Sequence, residues 1–301
     1  MTATTATPGT TARDRFEPAL MRRKLTGTFF YGACIGAIGI LFFALLMLLY
    51  DVLSRGLPWL DPDFISGVPS RRPERAGILP ALIGSLQIGV IVGILTFPTG
   101  VAAAIYLSEY AKDNRLNRAL RTNISNLSGV PSVIYGIFGL AIFVRALGFG
   151  FTLMAGALTL TLLILPVVII ASLEALKAVP DSQREGAYAL GASRWQMVRG
   201  TLMPAAAPGI MTGIILAMAR AIGETAPLIL VGAFTFVTFL PNPIEGGYTV
   251  LPIQVYQWAG RPQPDFQGIS AAAIIVLLVL MLVLNALALI VRIRLSRHIQ
   301  W

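Results

Sequence analysis

Charged residues make up only 12% of this 301-residue sequence, against 56% hydrophobic residues. No soluble domain covers its surface with so few charges. A mean hydropathy of +0.76 places the chain in a bilayer, as one membrane domain built from apolar helices of about 20 residues. Cysteine occurs once, as Cys34 inside an apolar stretch, so intrachain disulfides and thiol pairs are excluded and the residue reads as a small buried hydrophobe. Histidine also occurs once, as His298 in a basic tail, which leaves no material for a histidine metal site or proton relay. Lysine stands only at 24, 112 and 177, none of them after a glycine-rich turn. A Gly-x-x-x-x-Gly-Lys-Ser/Thr phosphate loop is therefore missing, and the chain hydrolyses no ATP by that route. No cofactor is called for.

What is present is a series of long uncharged runs. Five are clean: Leu25 to Tyr50, Ala76 to Ser108, Thr122 to Val144, Ala146 to Leu173, and Phe266 to Val291. Each is long enough to span hydrocarbon. A sixth, residues 207–233, is interrupted only by Arg220 and Glu224. Six transmembrane helices put both termini on one side.

Basic residues in short connections mark the cytoplasm. Arg13, Arg15, Arg22, Arg23 and Lys24 precede the first helix; Lys112, Arg115, Arg118 and Arg121 join the second to the third; Lys177, Arg184, Arg194 and Arg199 join the fourth to the fifth; Arg292, Arg294 and Arg297 end the chain. The other side has only Arg55, Arg71, Arg72, Arg75, Arg145 and Arg261. Both termini are thus expected in the cytoplasm, and the net charge of +9 reflects juxtamembrane clusters rather than a nucleic-acid surface.

Several segments read simply. Residues 1–24, rich in Thr, Ala and Pro, are expected as a disordered cytoplasmic tail. The run after them exceeds a signal-peptide core of about 7 to 15 residues, so it is expected to remain as the first helix. Pro98 predicts a tilt or kink in the second helix. Leu116, Leu120, Ile124 and Leu127 recur at helical spacing beside Arg115, Arg118 and Arg121, the pattern of an interfacial helix, and Pro131 predicts a cap or kink in the third. Gly84, Gly89, Gly93 and Gly100 are expected to let helices approach.

Between the fourth and fifth helices, Pro180-Asp-Ser-Gln-Arg-Glu185-Gly-Ala-Tyr-Ala-Leu-Gly191-Ala-Ser-Arg-Trp195 leads on to Pro204. Ser182 and Glu185 have capping-box spacing, Gly191 suits the left-handed residue that ends a helix, and Ser193 can cap a second helix running towards Pro204. By spacing alone this is equally a capped surface helix pair without a partner. The pattern resembles the EAA loop of importer-type ABC transporter permeases, with Glu185, Ala187, Gly191 and Pro204 in register; Gly186, Thr201 and Met203 depart from it. That resemblance implies that Glu185, Gly191, Arg194 and Trp195 belong to a loop docking on an ATP-binding subunit. It also implies a type I importer permease (MetI-like) fold, an all-α membrane protein.

Arg220 and Glu224 are spaced to share one helix face, and each costs about 2.5 to 3.5 kcal/mol at the centre of a membrane helix. One reading is a structural clamp, although buried pairs often fail to repay desolvation. The other is a pathway. A guanidinium fork fits an oxyanion, and Glu224 can accept a hydrogen bond from an oxygen that still carries a proton, which phosphate has near neutral pH and sulfate has not. Pro227 cannot donate to the Gly223 carbonyl and predicts a break, with a half-helix restarting near Thr225 to offer free amides.

The stretch Ala219 to Pro227 is similar to the fifth-helix signature of phosphate-specific ABC permeases. Gly129-Val-Pro-Ser-Val-Ile-Tyr-Gly-Ile-Phe-Gly139 and Tyr248-Thr-Val-Leu-Pro-Ile-Gln-Val-Tyr256 resemble PstA-type subunits more than PstC-type ones. The resemblance covers roughly residues 75–295. It implies a subunit without ATPase activity of its own, paired with a PstC-like second permease, a PstB-like ATP-binding dimer and an external PstS-like phosphate-binding protein in the cytoplasmic membrane. Arg220, Glu224 and Thr225 are then the substrate pathway, and Arg55 to Arg75 a candidate docking surface for the binding protein. The expected organisation is a tail at 1–24, a first helix and external loop at 25–76, and a permease core at 77–295 with its coupling loop at 178–204. A permease for another oxyanion such as molybdate or sulfate, or a proton-coupled anion carrier titrating Glu224, remains open on the residues alone.

Overall fold

A computed structural model of the chain describes residues 20–233 and 236–296, in two compact units that divide between Asp51 and Val52. The first unit holds most of helix α1 (Leu20–Gly56), whose side chains from 23 to 51 are all exposed. A helix that is apolar all round satisfies its backbone internally and takes hydrocarbon as its solvent. The tail expected over 1–24 lies outside the described residues as far as 19, and the chain is helical from Leu20. His298 and Arg297 also lie outside them.

In the second unit the short α2 (Pro62–Ser66) is capped by Asp61, whose carboxylate accepts from the Phe64 amide at 2.6 Å. Helix α3 (Leu79–Ile105) continues as a π-helical turn to Tyr110. Next come α4 (Arg115–Ser128) and α5 (Ser132–Gly139), the latter prolonged by π-helical geometry to Ala146. Helix α6 (Leu153–Lys177) leads to α7 (Asp181–Ala189) and α8 (Arg194–Met197). A π-helical turn (Val198–Leu202) carries α8 into α9 (Met203–Gly223), followed by α10 (Ala226–Leu230), α11 (Leu251–Ala259) and α12 (Pro264–Ser296). Among the described residues five helices are long and apolar enough to cross a membrane, and six if the bent pair α4–α5 counts as one.

That bend corrects the third span. Thr122 to Val144 is not one rod: α4 and α5 meet at 102°, because Gly129 ends α4 and Pro131, fixed near φ −55°, caps α5. Charge counting merged the apolar end of an amphipathic helix with the span proper. The fourth run starts late, at Leu153 behind the Thr152 cap, and the glycine loop before it is not helical. The fifth is longer than its uncharged run, a continuous helix from Arg194 to Gly223. Pro204 does not stop it. It sits in the first turn of α9, where a missing N–H is tolerated, just after the π-helical turn.

Small residues set the helix approaches, as expected without a hydrophobic drive between helices. Gly100 lies against Val168, while Gly209 and Gly213 on α9 meet Ala175 and Ala171 on α6. Gly89 and Gly93 face Ile222 and Met218. The main core gathers Ile88 and Val92 of α3, Tyr135 of α5, Leu160 and Ile164 of α6, Ala217 and Ala221 of α9, and Leu228 of α10. Tyr248, Val250 and Ile253 belong to the same core. The 248–256 segment, expected as part of an external loop, is therefore a plug: Tyr248, Thr249 and Leu251 are wholly buried. Gly84 admits the Thr249 carbonyl, and the Ser85 hydroxyl accepts from the Leu251 amide at 2.8 Å.

Candidate functional site

Helix α9 ends at Gly223, and Glu224 leaves it in an extended conformation (φ −72°, ψ 131°) before α10 begins behind Thr225. The break thus falls where Pro227 denies Gly223 its helical partner. Arg220 and Glu224 do not share a helix face, as their spacing predicts, and Arg220 is not mid-helix. It occupies the last turn of α9, where a cation complements the helix dipole. The two still meet, with Arg220 Nε 3.1 Å from Glu224 Oε1.

The geometry of this contact leaves the arginine open. Among the described residues the bond uses Nε alone, so the Nη1 and Nη2 amino groups remain as a parallel pair of donors. Side-chain exposure is 47% for Arg220 and 15% for Glu224, while the flanking Ala217, Ala221 and Ile222 are buried. One face of α9 therefore closes the core and the adjoining one turns a guanidinium outward. Hydrocarbon is a poor medium for that group.

Opposite the break stands α5. Gly136 brings its backbone against Pro227, since a Cβ there would lie 2.8 Å from the Pro227 Cα. The chain neighbour of Gly136, Tyr135, is buried, and the Tyr135 hydroxyl donates to the Leu127 carbonyl at 2.8 Å across the α4–α5 bend. Spacing did not single out Tyr135; only its place in the Gly-Val-Pro-Ser-Val-Ile-Tyr motif signals it. Thr225 is half-buried and makes no side-chain cap bond. The expected dipole end does not form, because α10 has only five residues and Pro227 contributes no amide.

The second candidate lies at the other end of α9. Gly191 has φ +81°, its amide bonds the Tyr188 carbonyl and the Ala192 amide the Ala187 carbonyl, so it closes α7 in the left-handed conformation as predicted. Ser193 and Gln196 form a reciprocal capping box on α8. The box predicted at Ser182 and Glu185 is absent. Pro180 takes the N-cap position of α7 without a side-chain bond, and Ser182 lies two positions too far into the helix. Glu185 and Trp195 are exposed, together with Tyr188 and with Leu190 at 90%. Such a set of exposed large side chains on a polar loop marks a contact surface. Arg194 instead turns over the Tyr110 ring at 5.5 Å, and Arg184 turns inward.

Missed by the sequence reading as well is Tyr248, whose buried hydroxyl finds no hydrogen-bond partner among the described residues. Burial pushes its ionisation above the ordinary tyrosine value.

The sequence pattern of the binding-protein-dependent transport system inner membrane components matches residues 96–297. The PstA 1 phosphate transport system permease protein of Mycobacterium tuberculosis is 32% identical over 286 residues, covering 91% of each chain. The PstA protein of Haemophilus influenzae is 36% identical over 247 residues, 80% of this chain and 85% of that one. The fold is also that of a chain in the inward-facing MetNI methionine ABC transporter, with a TM-score of 0.58 at 20% identity over 74% of this chain and 96% of that one. With the helical break, the loop and these relatives together, the chain belongs to the binding-protein-dependent transport system inner membrane components, as a permease of the PstA type.

Proposed function

We propose that this permease imports inorganic phosphate, as half of a pore completed by a PstC-like subunit. A PstB-like ATPase dimer binds on the cytoplasmic side and a PstS-like phosphate-binding protein on the outside. The observation that carries the reading is the open guanidinium of Arg220 at the end of α9. Its two Nη groups donate bidentately to an oxyanion, while the remaining carboxylate oxygen of Glu224 accepts the P–OH hydrogen. Thr225 supplies a hydroxyl beside them. The phosphate transport names of the relatives support the same substrate. Glu185, Gly191 and Trp195 present the coupling loop to the ATPase, and Arg194 supports it from behind. The positive clusters support a cytoplasmic side for this loop and both termini; an impermeant thiol reagent should label a cysteine at 71 but not at 194 in Cys34→Ser cells, and the reverse pattern defeats this topology.

The deciding experiment is ATPase stimulation of the reconstituted complex. Phosphate-loaded binding protein should stimulate and sulfate-loaded protein should not. In Glu224→Gln the amide can also donate, so free sulfate in the pathway should inhibit phosphate transport more than in the parent. Equal stimulation by both anions, with no change in Glu224→Gln, defeats the phosphate reading.

A further inference from the structure

The residue of the coupling loop with the most partners faces away from its contact surface. Arg184 donates from Nη1 to the Val179 carbonyl and to Asp181 Oδ1, and from Nη2 to the Leu176 carbonyl, each at 2.8 Å. Its Nε stands 3.4 Å from Glu109 Oε1, with side-chain exposures of 16% and 10%. That carboxylate oxygen also accepts from the Ser108 hydroxyl at 2.8 Å. Glu109 lies in the π-helical end of α3, and Leu176 and Val179 at the end of α6. One planar group therefore ties α7 to two membrane helices, which a lysine, with a single ammonium, cannot do.

A second tie joins α8 to the same place, through Arg194 over Tyr110. Leu107, Leu176, Val179, Met197 and Val198 fill the space between as one buried cluster. The loop's own fold needs neither tie, because Gly191 and the Ser193–Gln196 box already shape it. From this grip α3 with its π-helical end runs the 24 residues from Glu109 back to Ser85, about 36 Å at 1.5 Å per residue, to the contacts of Gly84 and Ser85 with the buried 249–251 plug.

We propose that Arg184 and Glu109 are positioning residues that fasten the coupling loop to α3, so that movement of the loop is delivered along α3 to the 249–251 plug on the outer side. This rests on the reading of α7 and α8 as the ATPase-docking loop. Linkage makes the signal reciprocal: a loaded binding protein acting outside reaches the ATPase by the same helix.

The test uses the full reconstituted importer. Glu109→Ala and Glu109→Gln leave the exposed face of the loop intact, so the ATPase dimer should co-purify and basal hydrolysis should stay parental. Stimulation by phosphate-loaded binding protein and phosphate import should fall together, by about fivefold or more in Glu109→Ala. Glu109→Gln, which keeps an acceptor for Arg184, should fall less. Ser85→Ala should also reduce stimulation, and the Ser85→Ala/Glu109→Ala double variant should lose little beyond the worse single one. Distant sites with no shared element normally add, so multiplying losses overturn the delivery along α3. Parental stimulation in Glu109→Ala overturns the proposal, and so does loss of the ATPase dimer in both Glu109 variants, which marks a plain structural pin. Gly191→Val tests the underlying reading separately. If that complex keeps its ATPase dimer and full transport, the loop is not the docking element, whatever Glu109 does.

Discussion

Two arginine–glutamate pairs sit at opposite ends of the long helix that α8 and α9 form, and they differ in what is left over. Arg184 is 16% exposed and its donors are spent on a carboxylate of α3, a carboxylate of α7 and two carbonyls at the end of α6. Arg220 is 47% exposed and spends one donor on Glu224. The same two residue types thus make a fastener where most donors are matched and, among the described residues, a pair where most are left over. Residual hydrogen-bonding capacity, rather than the charge itself, separates the two roles.

Substitutions sharpen this contrast. The largest effect is expected from Arg184→Met, which strands Glu109 and two helix-end carbonyls in a desolvated place; breaking a buried pair from one side costs about 3 kcal/mol, to be seen as a lower melting temperature and yield of the purified complex. Next comes Arg220→Gln, with assembly and melting temperature near parental and import down about thirtyfold, the loss of a charged hydrogen bond. If both variants fail in stability alone, the distinction between the pairs collapses. The smallest effect belongs to Lys177→Ala. Its partner Glu174 lies at 2.8 Å, but both side chains are about half exposed, and such pairs contribute within about 1 kcal/mol, so stability and import should stay close to parental.

The sequence exposed the parts of this fold that depend on local rules. The uncharged runs located the membrane helices, Pro227 marked the end of α9, and Gly191 marked the left-handed turn of the loop. Where it went astray, a competing local feature took precedence. Pro180 displaced Ser182 from the cap of α7, and Pro204 met a helix already under way; the uncharged run from Thr122 to Val144 concealed a bend, which Pro131 itself had signalled. Contacts between distant residues had no local signal at all. Neither the Arg184–Glu109 tie nor the burial of Tyr248 to Leu251 follows from spacing, since each depends on which helices pack together. Arg220 and Glu224 stood out by their cost in an apolar run, although their geometry, across a helix end instead of along a face, needed the structure.

Whether Arg220 and Glu224 form the substrate pathway or a clamp is decided by the double variant Arg220→Met/Glu224→Leu. Replacing both partners of an ion pair by apolar groups is often neutral or stabilising, so the complex should assemble and keep its melting temperature. Phosphate import in proteoliposomes should nevertheless be lost. Assembly with import at the parental rate would instead make the pair a dispensable clamp outside the pathway.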